Sequence, residues 1–276
     1  MRRPAQLALL AFAVWSSGVQ AQGRVRAPAG PAPGGRVSGA CPDEVARDRI
    51  ERADATGEIA LASGGKVRLV DIRIAGPEDG AASGRPGAAA VFASLAGQAI
   101  DVRAAGPADR WGRIPARIAF EAGGTVDLAE LLVAEGLALV DVGERDSLCR
   151  PDLRQVERNA RAARLGLWAA GKLPLRAGDP DALREAAGRF VIVEGRIASA
   201  GERKARTYLN FGRDFGRDFA VVIPKRQWTA IKRADLGGSD PKGRWIQVRG
   251  TIEVRRAPSM EIVAADSIEW QDPERP

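Results

Sequence analysis

The chain has 276 residues, a formal charge of +7 at neutral pH and no histidine. That absence excludes Ser-His-Asp and Cys-His catalysis, imidazole metal sites and histidine pH switches. Two cysteines cannot build a thiolate zinc cluster, so the chemistry left is that of carboxylates, guanidiniums, hydroxyls and oxygen-bound hard cations.

In chain order, Arg2-Arg3, an apolar run over 7–15 and Val19-Gln20-Ala21 predict a secretory signal over 1–21, cleaved after Ala21. The run is too short to span a bilayer; an uncleaved anchor is the competing reading. The mature protein is therefore expected to be exported, periplasmic or secreted, and to have no membrane span. In an oxidising compartment, Cys41 and Cys149 read most simply as one disulfide; two separately buried thiols are the other reading. Residues 22–40, rich in Gly, Pro and Ala, are expected to be disordered.

A first domain over 41–170 follows. Its alternating stretches predict strands over 58–61, 66–74, 100–103 and 114–120, and its helical periods predict helices over 87–97, 126–137 and 154–165. Residues 171–183 read as a linker. A second domain over 184–271 alternates at 190–197, 207–211, 219–223, 245–254 and 260–268. Five short strands with Gly-containing turns predict a small β-barrel such as an OB-fold. The expected fold class is mainly β with helices (α+β), in two barrels.

Only six of the 42 basic residues are Lys. An arginine excess suits bidentate phosphate recognition, and it fits a GC-rich codon bias equally well. Residues 46–170 hold 17 bases and 18 acids, whereas 184–256 hold 17 bases and 8 acids. The basic surplus thus lies in the second domain, the expected electrostatic footprint for a polyanion. There, Tyr208, Phe211, Arg213 and Arg217 interleave aromatics with arginines, as in barrels that stack single-stranded bases. Alternate aromatics filling a barrel core are the competing reading. No phosphate-binding Gly loop or dinucleotide fingerprint is present, so no nucleotide cofactor is expected.

Three pieces of the first domain stand out. On one continuous strand over 66–74, Arg68 would share a face with Val70, Ile72 and Ile74, so its guanidinium must find a buried partner or project into a site. Asp109-Arg110-Trp111-Gly112-Arg113 is a turn that delivers a second arginine to the start of a strand. Leu131-Leu132-Val133-Ala134-Glu135-Gly136-Leu137-Ala138 is an amphipathic helix ending at a glycine.

In order and spacing these pieces, with Pro77-Glu78 and a closing Leu165-Gly166-Leu167-Trp168, resemble the staphylococcal-nuclease (thermonuclease) family over roughly 55–169. The second domain's Tyr208-Leu209-Asn210-Phe211-Gly212 is similar, more weakly, to an accessory OB module. The resemblance implies an OB barrel with three helices that cleaves DNA or RNA. In that chemistry calcium polarises a phosphodiester, a Glu activates water and two arginines stabilise phosphate charge. By position Arg68 and Arg113 match the arginines, and Glu78 matches the Glu because it follows Pro; Trp111 and Arg110 are implied at the nucleic-acid contact. The sequence also departs from the family. Two residues are inserted between Arg68 and Glu78, and the positions of the two calcium-binding aspartates fall on Gly57 and Arg73. Asp54, Glu58 and Asp71 lie near enough in sequence to supply replacement ligands. Calcium-dependent phosphodiester hydrolysis is the leading expectation. A non-catalytic two-barrel grip on single-stranded nucleic acid or another polyanion is one alternative, and an envelope structural or interaction protein is the other.

Overall fold

The computed structural model describes residues 41–271 except 42, 55, 77–86, 144 and 237–238. The predicted signal over 1–21 and the Gly/Pro-rich segment over 22–40 lie outside the described residues, as does Glu78.

The first half runs β1 (Ala46–Ala53), β2 (Glu58–Leu61), β3 (Lys66–Leu69), β4 (Ile72–Ile74), α1 (Ala88–Ser94), β5 (Ala99–Ala104), β6 (Arg113–Glu121), β7 (Thr125–Asp127), α2 (Leu128–Ala134), β8 (Ala138–Val140), α3 (Leu153–Ala162) and a 3-10 turn at Gly166–Trp168. β3 pairs in parallel with β6 and the other neighbours are antiparallel, so β1-β2-β3-β6-β5 close into a barrel. Ile59, Leu61, Val67, Leu69, Val102 and Ile118 fill it.

The second half runs β9 (Leu175–Arg176), α4 (Pro180–Glu185), β10 (Phe190–Arg196), β11 (Ser199–Glu202), β12 (Arg206–Asn210), β13 (Ala220–Pro224), α5 (Lys225–Leu236), β14 (Trp245–Val254), β15 (Pro258–Glu261) and β16 (Ile268–Gln271). β10 and β11 form one bent strand, pairing with β14 at one end and β12 at the other. β13 and β15 are parallel. Both barrels therefore join their third and fifth strands in parallel and carry a helix between the third and fourth, the connectivity of an OB-type barrel.

Several elements escape the sequence pattern. β1 (ARDRIERA) has a single large apolar residue, Ile50; its inward partner is Asp48, whose Oδ2 accepts a bond from Ser63 Oγ at 2.6 Å. The expected strand over 66–74 breaks at Asp71, which adopts φ 65. Above the break Val67 and Leu69 point into the core and Lys66 and Arg68 outward, so Arg68 lies on the outer face and not on the apolar face expected of an unbroken strand. The stretch over 260–268 also divides, into β15 and β16. The expected linker over 171–183 carries β9 and opens α4, capped by Asp179 Oδ1 on the Ala182 amide at 3.0 Å, and buries Ala177 and Leu183 in the second core. α5 was not expected; its Trp228, Ile231 and Leu236 lie on one buried stripe.

The helix α2 and the closing turn meet through two glycines. Gly136 (φ 67) and Gly166 (φ 49) lie so close that a Cβ on Gly136 would approach the Leu165 carbonyl oxygen to 2.3 Å. Leu167 N donates to Gly136 O at 2.9 Å. Two motifs thirty residues apart in the sequence are thus one contact.

The two barrels share a charged seam and a small apolar one. β10 is buried on both faces: Val191 and Val193 enter the second core, while Ile192 packs with Leu139, Ala160, Leu167 and Trp168. On β14, Arg249 is 2% exposed. Its Nη1 donates to Val140 O and to Glu157 Oε2, both at 2.9 Å, and its Nη2 meets Glu269. Glu157 Oε1 accepts from Val140 N at 2.7 Å. Along α3, Arg158 reaches Glu269 at 3.3 Å and Arg161 reaches Glu194 at 3.6 Å. The basic face of α3 thus pairs with acids of the second barrel. Among the described residues, no helix is long and apolar enough to cross a membrane.

Cys41 and Cys149 form a disulfide, with Cα atoms 5.5 Å apart and 108 residues of separation.

Candidate nucleic-acid interface

The register assembles one outer face across β2, β3 and β6. Glu58 stands opposite Arg68, and Lys66 opposite Arg113. Directly opposed residues share a face of a sheet, so these four side chains lie together. Glu58 bridges two of the cations, with Oε1 3.0 Å from Lys66 Nζ and Oε2 3.9 Å from Arg113 Nη1.

Arg113 is aimed by its own turn. Asp109 Oδ1 accepts from the amides of Trp111 at 2.9 Å and Arg113 at 3.0 Å. Asp109 Oδ2 takes both Nε and Nη2 of Arg113 at 2.8 Å. Gly112 supplies the positive φ of 76° that the tight turn requires. Burial alone would raise the Asp109 carboxyl, but the Arg113 amide and guanidinium and the Trp111 amide outweigh it, and its pKa lies below the ordinary value. The turn also sets Trp111 outward, 57% exposed, with the Arg110 guanidinium 3.9 Å and the Arg113 guanidinium 4.6 Å from its ring centroid. Two planar cations thus lie over an exposed aromatic ring at this turn.

The residues expected to supply metal ligands go elsewhere. Asp54 caps the β1–β2 turn, its Oδ1 accepting from Thr56 N at 2.9 Å, Thr56 Oγ1 at 2.7 Å and Glu58 N at 3.0 Å. Burial works to raise its pKa, and these bonds lower it overall. Asp71 is buried, with Oδ1 accepting from Cys149 N at 3.0 Å and Oδ2 from Arg150 N at 2.8 Å. Burial pushes its carboxyl above the usual range, against those two amides and Arg145 and Arg117. Asp71 therefore clamps the backbone at the disulfide. Of the three, Glu58 alone stands beside Arg113.

The two positions where the resemblance places calcium ligands do not fit a cation. Gly57 offers no side-chain oxygen; it has φ 85, and a Cβ there would come within 2.3 Å of Ile74 Cδ1. Arg73 pairs with Asp141 through Nε and Nη2, both at 3.0 Å, and lies 4.9 Å from the Phe190 ring centroid of the second barrel. A hard cation needs several oxygens. Among the described residues, no group of three or more His, Cys, Asp or Glu could hold one.

In the second barrel, Tyr208 lies on the outer face of β12 and Arg213 on the loop after it, both beside surface cavities. Phe211 turns the other way, 5.2 Å from the buried Phe219 ring and against the core, which corrects its expected place at a nucleic-acid surface. Arg217 is exposed, but it lines neither cavity. Phe215, one of the aromatics interleaved with arginines in the sequence, lines both cavities, and Arg203, which the sequence pattern passes over, lines one.

No curated protein matches this chain. Residues 66–170 do match the family model described as staphylococcal nuclease homologue, from β3 to just beyond the closing 3-10 turn. That span takes in both outward arginines, the Trp111 turn and the Gly136–Gly166 contact, so over these residues the first barrel is similar to staphylococcal nuclease homologues.

Proposed function

We propose that the first barrel binds a nucleic-acid phosphodiester against Arg68 and Arg113, with an adjoining base stacked on Trp111, and that it does so without calcium. The observation that carries this reading is the Asp109–Trp111–Arg113 turn, which holds a guanidinium and an exposed aromatic ring side by side on the face that also bears Lys66 and Arg68. The match of residues 66–170 to staphylococcal nuclease homologues supports nucleic acid as the partner. Hydrolysis would need more than this face provides among the described residues: Gly57 and Arg73 contribute no oxygens, and Glu58 is shared between two cations.

We also infer export. A Cys41–Cys149 disulfide suits an oxidising compartment, and the N-terminal pattern suits a cleaved signal.

The test is substitution at the turn. Arg113→Ala removes charge-assisted donors and is expected to weaken binding of a labelled single-stranded oligonucleotide by roughly tenfold to a hundredfold. Trp111→Ala removes one stacking surface and is expected to cost roughly tenfold. Fluorescence anisotropy at fixed salt measures both. Unchanged affinity in both variants would remove this face from the function.

A further inference from the structure

The second barrel carries a groove that the first-barrel reading does not use. Its floor is the outer face of four strands. Tyr208 on β12 stands opposite Gly201 on β11 and Val222 on β13, and Asn210 stands opposite Ala220, which in turn neighbours Ser259 on β15. One wall is the loop between β12 and β13, with Phe215 at its tip; the other is the β14–β15 hairpin, with Arg256 and Pro258. Two adjoining cavities, about 420 Å³ over the strand floor and about 650 Å³ beside the loops, share Phe215 as a common wall.

Phe215 is 72% exposed, although it is a large apolar ring. Tyr208 is half-buried, on the opposite side of its strand from the core residues Thr207 and Leu209. The two aromatics thus border the same cavity without filling a core. Arg203 lines the strand-floor cavity, and Arg213 and Arg256 line the loop cavity. All three are exposed. The acids of the region are largely committed locally. Glu202 points to α5, where Lys225 first and then Trp228 hold its pKa down at about 2. Asp214 accepts from the Gly216 amide at 2.9 Å, and Asp218 from the Asp214 amide at 2.9 Å. The surrounding block, 184–256, holds 17 bases against 8 acids.

We infer that this groove is a second, separate site that takes single-stranded nucleic acid, with bases on Phe215 and Tyr208 and phosphates on Arg203, Arg213 and Arg256. Aromatic faces accept any unpaired base, and a basic rim tracks the backbone. A duplex keeps its bases stacked inside and offers these rings nothing. The inference extends the nucleic-acid reading of the first barrel, but it rests on different residues and can stand or fall alone.

The experiment uses the full chain and three probes: a labelled single-stranded oligonucleotide, its duplex, and inorganic polyphosphate. Phe215→Ala is expected to weaken the single strand about tenfold and to leave polyphosphate binding unchanged. Arg213→Ala with Arg256→Ala is expected to flatten the dependence of log affinity on log salt by about 0.7 per arginine. All three side chains are exposed, so unchanged melting temperatures exclude misfolding as the cause. In Trp111→Ala/Arg113→Ala protein, residual single-strand binding is expected, and Phe215→Ala should weaken it by a further factor of about ten. The inference is overturned if the Phe215 and arginine variants bind as the parent does, or if the duplex binds as tightly as the single strand. If only the Trp111/Arg113 variant loses affinity, the first-barrel site stands and this groove does not.

Discussion

Arg249→Ala is expected to destabilise the protein by about 3–5 kcal/mol, because it strands the buried Glu157 carboxylate without its cation. Arg249 is the point where the second barrel enters the first: one guanidinium holds Val140 O, Glu157 and Glu269. Glu157 in turn fixes the Val140 amide, so the loss reaches β8 and, through its pairing with β4, the strand that carries Arg73. Chemical denaturation of the variant measures the cost. The double variant Arg249→Met/Glu157→Met leaves no orphaned charge and is expected to lose much less. If the single and double variants cost the same, packing and not charge pairing holds the seam.

Replacing Cys41 and Cys149 by serine is expected to cost about 5 kcal/mol. The bridge closes a loop with a sequence separation of 108 residues, and in the chain-entropy treatment a loop of that length restrains the unfolded chain by roughly that amount. The folded geometry around Cys149 has a second support, since Asp71 accepts from the amides of Cys149 and Arg150. The serine variant is therefore expected to keep its fold near neutral pH while unfolding at much lower denaturant. A midpoint unchanged between the variant and the parent would show that the bridge restrains nothing that Asp71 does not.

The parts of the site that were legible in the sequence are the parts whose geometry is local. Asp109 through Arg113 build their own turn: an acid caps two amides and its neighbour's guanidinium, and a glycine supplies the left-handed residue. Five residues suffice, so motif and structure agree. Arg68 stands out in the sequence for a reason the fold changes. It was expected on an apolar face, and it reaches the site because the strand breaks at Asp71 and leaves residues 66 and 68 on the outside. Asp71 itself looked like a metal ligand only because a linear sequence does not show that residues 149 and 150 fold back over it.

Features set by long-range contacts were hidden in the same way. α3 shows an ordinary basic face in sequence, and it takes the second barrel's Glu194 and Glu269 to explain those charges. β1 carries one large apolar residue and so has no alternating pattern to detect. α5 had a signal, the stripe of Trp228, Ile231 and Leu236, but it sits among strands whose period-2 pattern dominates. Phe211 and Phe215 are four residues apart with similar neighbours, yet one packs on Phe219 and the other stands exposed at a loop tip. Composition cannot separate them.

Calcium-free binding of nucleic acid at the nuclease-type face of the first barrel is the point on which the proposed function turns. It is tested most directly by titrating a labelled single-stranded oligonucleotide with the full chain, first in chelator and then in millimolar calcium, while following the length of the oligonucleotide. One affinity under both conditions and an intact oligonucleotide are expected. Binding that requires calcium, or shortening of the oligonucleotide only when calcium is present, would contradict it.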